Sequence, residues 1–538
     1  MAALATGGGY SLPVFPYHRP AELDGERRRH KVVVVGGGLS GLTAACDLAQ
    51  RGVPVVLVDE DDTVGVRGAS SRGICYAQKT LEIFDRLGIY ERIAAKGVTW
   101  SVGKVLADDD VLYSFDLAQG AQSRQPPFIN LQQFYVEWYL VDRLMQLPLA
   151  ELRWRNRVTG IALAPDHAAL TVETSDGTYT LEAEWVIDAS GLASHLRQAV
   201  GAHLEAELGE DRWCISDVRF KSALPPERWT WAKAAFNDGR AVWQHPMADG
   251  VWRLDYQMGP GVDPQQIADP AVVSDRLRRH LGAEVEVELV WVGPYGYRTQ
   301  LLENFRRGRV FFIGDAAHVF NPFGARGGNS GVQDAENIGW KLAAVIAGTA
   351  PPALLDSYNE ERRAAGAHNI HVTTRTIRFL APRSPFEHRL RDAVLDLARR
   401  FDFARALVNT GRLSVPYDYA ASSLTTAGGK AVPNLPVTGP DGRTGVLSDL
   451  LRGDGARFLV LCFPGTSAPE LPENVARVIA CDAPVGALSV FRGLGALGAP
   501  GEVLVIRPDQ HLAARLTGPD AAAVRAAIDK ALGRETRP

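Results

Sequence analysis

Cysteine is scarce in this chain of 538 residues: five, at Cys46, Cys75, Cys214, Cys462 and Cys481, scattered and odd in number. No Cys-x-x-Cys pair occurs, so a disulfide framework, structural zinc and dithiol redox chemistry all lack their residues. An excess of either charge is missing as well. The balance of 58 Lys and Arg against 62 Asp and Glu leaves −4, which offers nucleic acid no basic footprint. No stretch approaches ~18 uninterrupted apolar residues, and Met1–Pro16 lacks the charged start and apolar run of a secretory leader. These absences predict a soluble, unprocessed, cytoplasmic protein with no membrane or nucleic-acid partner. Internal repeats are not visible either. With 46% hydrophobic and 22% charged residues, the composition is globular and excludes wholesale disorder. The length exceeds what one core serves and predicts about three domains.

What is present begins at Lys31. Val32-Val33-Val34-Val35 is a short continuous apolar run, the pattern of a strand buried on both faces of a parallel sheet. Glycines follow, then Leu39–Arg51 with small and apolar residues at helical spacing, Gly52 as a stop, and a second buried strand at Val53–Val58. The unit has the size that a right-handed parallel crossover requires. Ahead of it, residues 1–30 are rich in Gly and Pro and end in Glu26-Arg27-Arg28-Arg29-His30, read as a solvated lead-in.

Further on, residues 98–120 predict a strand pair turned at Asp108-Asp109-Asp110, Phe134–Leu147 a helix, and Thr171–Thr174 with Tyr179–Glu182 a hairpin. Residues 211–299 hold Trp213, Trp229, Trp231, Trp243, Trp252 and Trp291, six of the eleven tryptophans. They fall among alternating strand patterns and predict a separate, mostly β layer. Residues 309–313 return to a buried strand, followed by a glycine-rich loop and a helix from Gly331 to near Ala347. Residues 354–412 are helical and charged, and Ala421–Pro440 is a linker into a last αβ module.

Gly36-Gly37-Gly38-Leu39-Ser40-Gly41 fits G-x-G-x-x-G, and so does Gly493-Leu494-Gly495-Ala496-Leu497-Gly498. The second copy runs into Ala499-Pro500-Gly501, which cannot open a helix, and reads as a loop. The first copy has a strand before it and a helix after it. There Gly36 permits the tight turn, Gly38 lets backbone approach a pyrophosphate, and Gly41 lets the helix pack on the strand. Asp59, 23 residues after Gly36, closes the second strand where a carboxylate can accept hydrogen bonds from ribose hydroxyls. Far downstream, the strand Arg309–Ile313 ends in Gly314-Asp315, a place where a carboxylate suits the ribityl chain of a flavin. The loop Asn321–Gly331 behind it delivers flexible backbone to a helix start that would stabilise negative charge on a reduced flavin ring.

At these residues the sequence resembles the flavin-dependent aromatic hydroxylases, the single-component FAD monooxygenases typified by para-hydroxybenzoate hydroxylase, over most of its length. The resemblance implies that Gly36, Gly38, Gly41 and Asp59 form the ADP-binding turn and its ribose acid. It makes Arg72 and Gln133 contacts to FAD, Gly314 and Asp315 the second flavin motif, and Pro322 with Gly327 and Asn329 part of the loop lining the ring. One position departs: the family's strand-end Asp-Gly is here Ser190-Gly191, so the acid charge is absent and the handling of reductant at this segment is left open. The closer similarity is to the 3-(3-hydroxyphenyl)propionate and phenol hydroxylase branch with its C-terminal thioredoxin-like domain, which here has no Cys-x-x-Cys and reads as a structural or dimer-contact module.

The implied fold is α/β: a Rossmann-like FAD-binding domain with an inserted, mostly β substrate domain and a C-terminal thioredoxin-like αβ domain. The boundaries expected are an N-terminal extension at 1–30, an FAD-binding domain from 31–97, 121–210 and 300–385, and a substrate domain from 98–120 and 211–299. A helical region and linker cover 386–440, and the thioredoxin-like domain 441–538. The implied activity is NAD(P)H- and O2-dependent hydroxylation of a phenolic substrate by a monomer or homodimer, with bound FAD, transient NADH or NADPH, and a flavin C4a-hydroperoxide that must be kept dry. Ring attack is faster on a phenolate, so a base or relay is expected near the substrate hydroxyl. The candidates are His245, Tyr256 and Tyr297. Arg298 could serve an anionic substrate or only the sheet, and Arg326 could favour anionic flavin or attract a carboxylate. Two alternatives remain: a flavin-binding protein without hydroxylase turnover, and a flavin-dependent halogenase, for which Trp229-Thr230-Trp231 and Asp188–Gly191 speak. No metal site is expected.

Overall fold

In the computed structural model, Val32–Val35 lie at the end of β1 (Arg29–Val35) with almost no exposed surface, because helices cover both faces of the sheet they enter. Described are all residues except 1, 6–8, 66–72, 119–122, 222–223, 283, 409–412, 454 and 535–538. After β1 come α1 (Leu39–Gln50) and β2 (Val55–Val58), which pairs in parallel with β1, Val32 opposite Val55. The helix α2 (Gln133–Leu144) packs beside α1, and the long strand β3 (Gly177–Asp188) lies on the other side of β1, again parallel. The first half of β3 forms a hairpin with Ala168–Thr174, and its last residues, Val186–Asp188, pair in parallel with Val310–Phe312. All parallel strands therefore deliver their C-terminal ends to one edge, the place where an open α/β sheet receives its ligand.

The tryptophan-rich stretch forms a second, eight-stranded sheet. Its strands are β4 (Leu204–Phe220), β5 (Arg228–Ala234), β6 (Arg240–Pro246), β7 (Val251–Pro260) and, after α3 (Pro270–Leu281), β8 (Val287–Leu302). They run in the order β8, β4, β7, β6, β5, followed by Val102–Ala107 and Asp110–Asp116 and preceded by His318–Val319. Every pairing is antiparallel except β5 on Val102–Ala107. One face carries Cys214, Val218, Trp231, Trp252, Leu254 and Tyr256 and is covered by Val273 and Leu277 of α3. That helix is started by Asp269, whose carboxylate accepts from the Ala271 and Val272 N–H groups at 2.9 and 3.2 Å, with Pro270 as first residue. The other face carries Trp213 and Trp243 and packs on Phe323 and on the helices that follow.

Those helices are α4 (Gly327–Ile346), α5 (Asp356–Leu380), α6 (Pro385–Ala398) and α7 (Asp402–Val408). The first begins at Gly327, four residues ahead of the expected Gly331, and Gly328 and Gly331 of its opening turns lie against Leu39 and Ser40 of α1. A last sheet has the order Val490–Phe491, Ala476–Cys481, Phe458–Cys462, Glu502–Ile506, Leu512–Thr517, the arrangement of a thioredoxin-like sheet, with Ala521–Ala531 as its helix. The link between its first two parallel strands, residues 463–475, is made of turns in place of a crossover helix. Gly493–Gly498 lies in a loop, as the proline behind it demands. The lead-in is a different matter. Leu12 and Phe15 are buried, Phe15 stacks on Trp154 at 4.7 Å, and β1 already starts at Arg29. The Gly and Pro content of this segment conceals two apolar anchors.

Candidate active site

The first glycine turn is shaped by what a side chain would strike. Gly36 sits at φ +108°, and a Cβ there would lie 2.5 Å from Ala189 O. A Cβ on Gly41 would lie 1.9 Å from Gly36 O, so α1 can press on the strand end only without one. Gly38 differs: it caps α1, and a Cβ there would meet only Glu137 Oε1, at 4.0 Å. Open space therefore lies before the helix start, whose free N–H groups and partial positive charge suit a pyrophosphate. At the end of β2, Asp59 accepts hydrogen bonds from the Gly37 N–H and, at 2.8 Å, from the Asp61 N–H. Burial pushes Asp59 up to about 6 against those two bonds.

Glu137, which the sequence analysis does not single out, reaches the same space from α2. Its Oε2 accepts from the Gly65 N–H and its Oε1 from Gln133 Nε2, each at 2.7 Å, and burial pushes it up to about 7. Gln133 Oε1 in turn accepts from the Gly73 N–H at 3.0 Å, so Gln133 ties α2 to Gly73. Arg72 itself lies outside the described residues.

The second turn meets the first at one hydroxyl. Gly314 is at φ +57°, and a Cβ there would lie 2.5 Å from Ser40 Oγ. A Cβ on Gly331 would lie 2.2 Å from the same oxygen. The start of α1, the turn Gly314–Ala316 and the first turns of α4 thus converge, although far apart in sequence. Behind them, Asp334 Oδ2 accepts from the Gly314 N–H at 3.0 Å and stands 2.6 Å from His318 Nε2, while Arg362 Nε donates to Oδ1 at 2.6 Å. Burial alone would raise Asp334; His318 and Arg362 hold it below its usual range. Asp315 is exposed at this turn, and buried Arg197 donates to its carbonyl at 3.3 Å and to that of Ala316 at 2.9 Å. At the end of β3, buried Asp188 accepts from Ser190 N–H at 3.0 Å, Ser190 Oγ at 2.6 Å and Ser194 Oγ at 2.5 Å. It braces its own turn, and Ser190 stands exposed in front of it.

The loop into α4 is held tightly. Asn329 Oδ1 accepts from the Ala77 N–H and its Nδ2 donates to Cys75 O, both at 2.9 Å. Pro322 is exposed, Ala325 takes a left-handed φ of +54°, and a Cβ on Gly327 would meet nothing within 4 Å. Backbone strain next to open space is a frequent mark of ligand-binding loops. Arg326 is turned the other way: its guanidinium donates to Asn369 Oδ1 at 2.6 Å, and burial lowers it to about 10.

Facing this loop is one side of the second sheet, whose composition follows from the pairing register, since residues directly opposite share a face. One row reads Tyr295, Trp213 and Gln257; the next Gly293, Ile215, Asp255, Trp243, Thr230, Val105 and Tyr113. The third holds Trp291, Asp217, Arg253 and His245, with Arg228 on the neighbouring strand. The aromatic end closes on the loop into α4: Trp213 and Trp243 are 4.5 Å apart, with Phe323 at 5.8 and 5.0 Å. The charged end holds Arg253 clamped on Asp217, Nε to Oδ1 at 2.9 Å and Nη2 to Oδ2 at 3.0 Å.

The candidate bases separate on this geometry. His245 lies on the face turned to the loop. Tyr256 is opposite Val242 and Cys214, on the other face, fully buried, with its OH 2.8 Å from His280 Nδ1. That placement corrects its selection, because alternation along β7 turns Tyr256 away from Asp255 and His245. Trp229 and Trp231 lie under α3 on that same outer face, which removes the tryptophans on which a halogenase reading leaned. Arg298 is exposed on β8 opposite Leu208, and the Tyr297 side chain lies outside the described residues. Sequence reading missed Asp255, Arg228, Arg253 and Asp217; the signal was there as charged residues at alternate positions inside strands that otherwise read as apolar.

Among the described residues no group of His, Cys, Asp and Glu is arranged to hold a metal ion, and no helix is long and apolar enough to cross a membrane. Residues 29–373 match the family described as an FAD binding domain. The 3-(3-hydroxy-phenyl)propionate/3-hydroxycinnamic acid hydroxylase of Mycolicibacterium smegmatis is 28% identical over 68% of this chain and 64% of that enzyme, less than two thirds of its length. The 12-dehydrotetracycline 5-monooxygenase/anhydrotetracycline 6-monooxygenase of Streptomyces rimosus is 28% identical over 91% of this chain and 97% of that one. The solved OxyS anhydrotetracycline hydroxylase from Streptomyces rimosus superposes with a TM-score of 0.72 at 26% identity, covering 94% of this chain and 99% of that one.

Proposed function

The chain belongs to the FAD-binding-domain family that its flavin-dependent monooxygenase relatives share, and from that premise we propose that it is an NAD(P)H- and O2-dependent hydroxylase of a phenolic aromatic compound. The observation that carries the reading is the convergence of two glycine turns on Ser40 with open space at Gly38 and Gly327, opposite a sheet face that is aromatic at one end and charged at the other. The cradle fits FAD. Gly36, Gly38 and Gly41 would pass the pyrophosphate, Asp59 the adenosine ribose, Asp315 the ribityl chain, and Pro322, Gly327 and Asn329 the ring. Bound there, FAD supplies reduction by a nicotinamide and activation of dioxygen. The protein's share is to hold the ring against the α4 start, to exclude water with Trp213, Trp243 and Phe323, and to orient the substrate hydroxyl from the charged row.

Two substrate sizes are open to such a site, a single ring like that of the hydroxyphenylpropionate relatives and a fused-ring phenol like that of the tetracycline relative. We favour the fused-ring class, since the similarity to the tetracycline enzyme runs through nearly the whole of both chains. The competing reading, flavin binding without turnover, draws on Ser190 at the strand end and is decided by the same experiment. Purified protein is checked for bound FAD, and oxidation of NADH and NADPH is followed with 3-(3-hydroxyphenyl)propionate, 2-naphthol and anhydrotetracycline under isotopically heavy dioxygen. Substrate-stimulated oxidation with heavy oxygen in the product is expected. Bound flavin with no oxygenated product from any of them overturns the hydroxylase reading.

A further inference from the structure

Among the described residues, three polar side chains on the inner sheet face carry an unmatched atom, Asp255, His245 and Trp213, and the first two adjoin one another. Asp255 occupies β7, fourth of eight strands, with β4 on one side and β6 on the other. At the centre of a sheet whose face is covered, its side chain is still 21% exposed, so it looks into an opening. Among the described residues it accepts no hydrogen bond, and the nearest cationic or ionisable nitrogen is His245 Nε2, 3.6 Å away and beyond hydrogen-bond reach. His245 is 7% exposed, and among the described residues its Nδ1 has no hydrogen-bond partner. Buried polar atoms are paired with few exceptions, and an exception beside an opening can be completed by a bound guest. Next to Asp255 in the same row stands Trp243, which with Trp213 and Phe323 forms the wall nearest the flavin loop.

We propose that Asp255 receives the hydroxyl of the aromatic substrate and takes its proton, with His245 as the positioning residue behind it. The assignment rests on the hydroxylase reading above and adds to it a residue and a direction: rings toward Trp213 and Trp243, hydroxyl toward Asp255. In the step, the substrate O–H bond breaks, its electron pair stays on the ring oxygen, and the proton joins a carboxylate oxygen of Asp255. Total charge is unchanged, and the negative charge moves onto the ring that the oxygen atom must enter. Arg228 and Arg253, in the adjacent row, face the new phenolate. From the charged row to the aromatic row the face extends about 14 Å along the strands, enough for several fused rings.

The groups that face Asp255 are Arg253 on its own strand, Asp217 on β4, Arg228 on β5, His245 on β6 and, across from them, Cys75. Burial raises Asp255 to about 7, with Asp217 adding to the rise and Arg253 and Arg228 opposing it. His245 is kept neutral by burial and by the two guanidiniums. The proton-accepting form of Asp255 is therefore gained as pH climbs through about 7.

The test compares 2-naphthol with 2-methoxynaphthalene, which lacks the donating hydroxyl, as ligands of the oxidised holoenzyme, read from the flavin difference spectrum. Wild type is expected to prefer 2-naphthol by about tenfold or more. Asp255→Ala should abolish the preference while leaving FAD content and the affinity for 2-methoxynaphthalene in place; Asp255→Glu should keep much of it, and His245→Gln should weaken it. For a phenol that wild type hydroxylates, kcat should rise through neutral pH, and Asp255→Ala should lose that limb together with about a hundredfold of rate. Equal binding of the two naphthalenes by wild type, or neither binding, overturns the assignment, and so does a kcat profile that Asp255→Ala leaves unchanged. An intact preference with no hydroxylation of any phenol overturns the hydroxylase reading and leaves Asp255 as the hydroxyl-binding carboxylate.

Discussion

At the seam between the C-terminal sheet and the main body, Arg507 donates to Glu361 at 2.5 and 2.9 Å and to Asp509 at 3.0 and 2.6 Å. Lys341 and Ser422 add bonds to Glu361, each at 2.7 Å, Trp340 donates to Asp509 at 3.2 Å, and Lys79 to the Asp509 carbonyl at 2.9 Å. In the cofactor cleft the pattern is the reverse. Gly38 and Gly327 face open space, Asp255 accepts nothing among the described residues, and the Nδ1 of His245 and the Nε1 of Trp213 are buried without partners. Both regions are rich in buried charge. Both also keep unpaired polar atoms among the described residues, His511 Nε2 and Asn337 Oδ1 at the seam included, but the seam carboxylates Glu361 and Asp509 are paired and Asp255 is not. Burial of ionisable residues is thus a poor guide to function, and the useful quantity is whether the chain pairs its own buried carboxylates.

Substitutions can break this contrast at either end. The largest effect is expected from Gly41→Val, which places side-chain carbon where Gly36 O already is; the purified protein should be folded by circular dichroism and have lost its bound flavin and yellow colour. Next is Arg507→Ala at the seam, which strands Glu361 and Asp509 without their cation and should cost about 3–5 kcal/mol in urea unfolding, with flavin still bound in the absence of denaturant. The acid side of the stability curve follows from the same groups. Burial would raise Glu361 and Asp509, but Arg507 keeps both below the ordinary carboxylate range. Their contribution is complete above about pH 5 and is lost as pH falls further. Wild type should therefore lose urea resistance on acidification below that point, and Arg507→Ala should show less of this loss. The smallest effect is expected from Gly495→Ala in the second G-x-G-x-x-G, where a Cβ meets only Asp482 Oδ2 at 3.2 Å. Flavin content should not change, and stability should stay within about 0.5 kcal/mol; a loss of flavin would put the cofactor at the wrong glycines.

Local chemistry was readable from the chain. Val32–Val35, Gly36–Gly41 and Asp59 lie within one crossover, and each of their demands, a buried strand, a turn without a side chain and a carboxylate at a strand end, is met by neighbours in sequence. The proline after Gly498 was equally decisive against the second copy. The substrate side was not readable in this way. Asp255, His245, Arg228 and Asp217 come from four strands, and only the register of those strands puts them on one face. A shift of one residue exchanges the faces, which is how Tyr256, a neighbour of Asp255 in sequence, reads as a candidate and lies under α3. The buried lead-in was missed for another reason: Leu12 and Phe15 are two apolar residues among prolines and polar groups, below the threshold of any periodic pattern.

The meeting at Ser40 has a consequence for the order of events during synthesis. A chain that has left the ribosome as far as the second sheet owns only the Gly38 half of the proposed grip, with nothing opposite. Gly314 and Gly331 emerge only after all five long strands of that sheet, and closing so long a loop carries an entropic cost that grows slowly with its length. On the proposed reading of the site, flavin capture would therefore belong to the late stage of assembly, when the hydroxyl of Ser40 finally acquires both of its glycine neighbours.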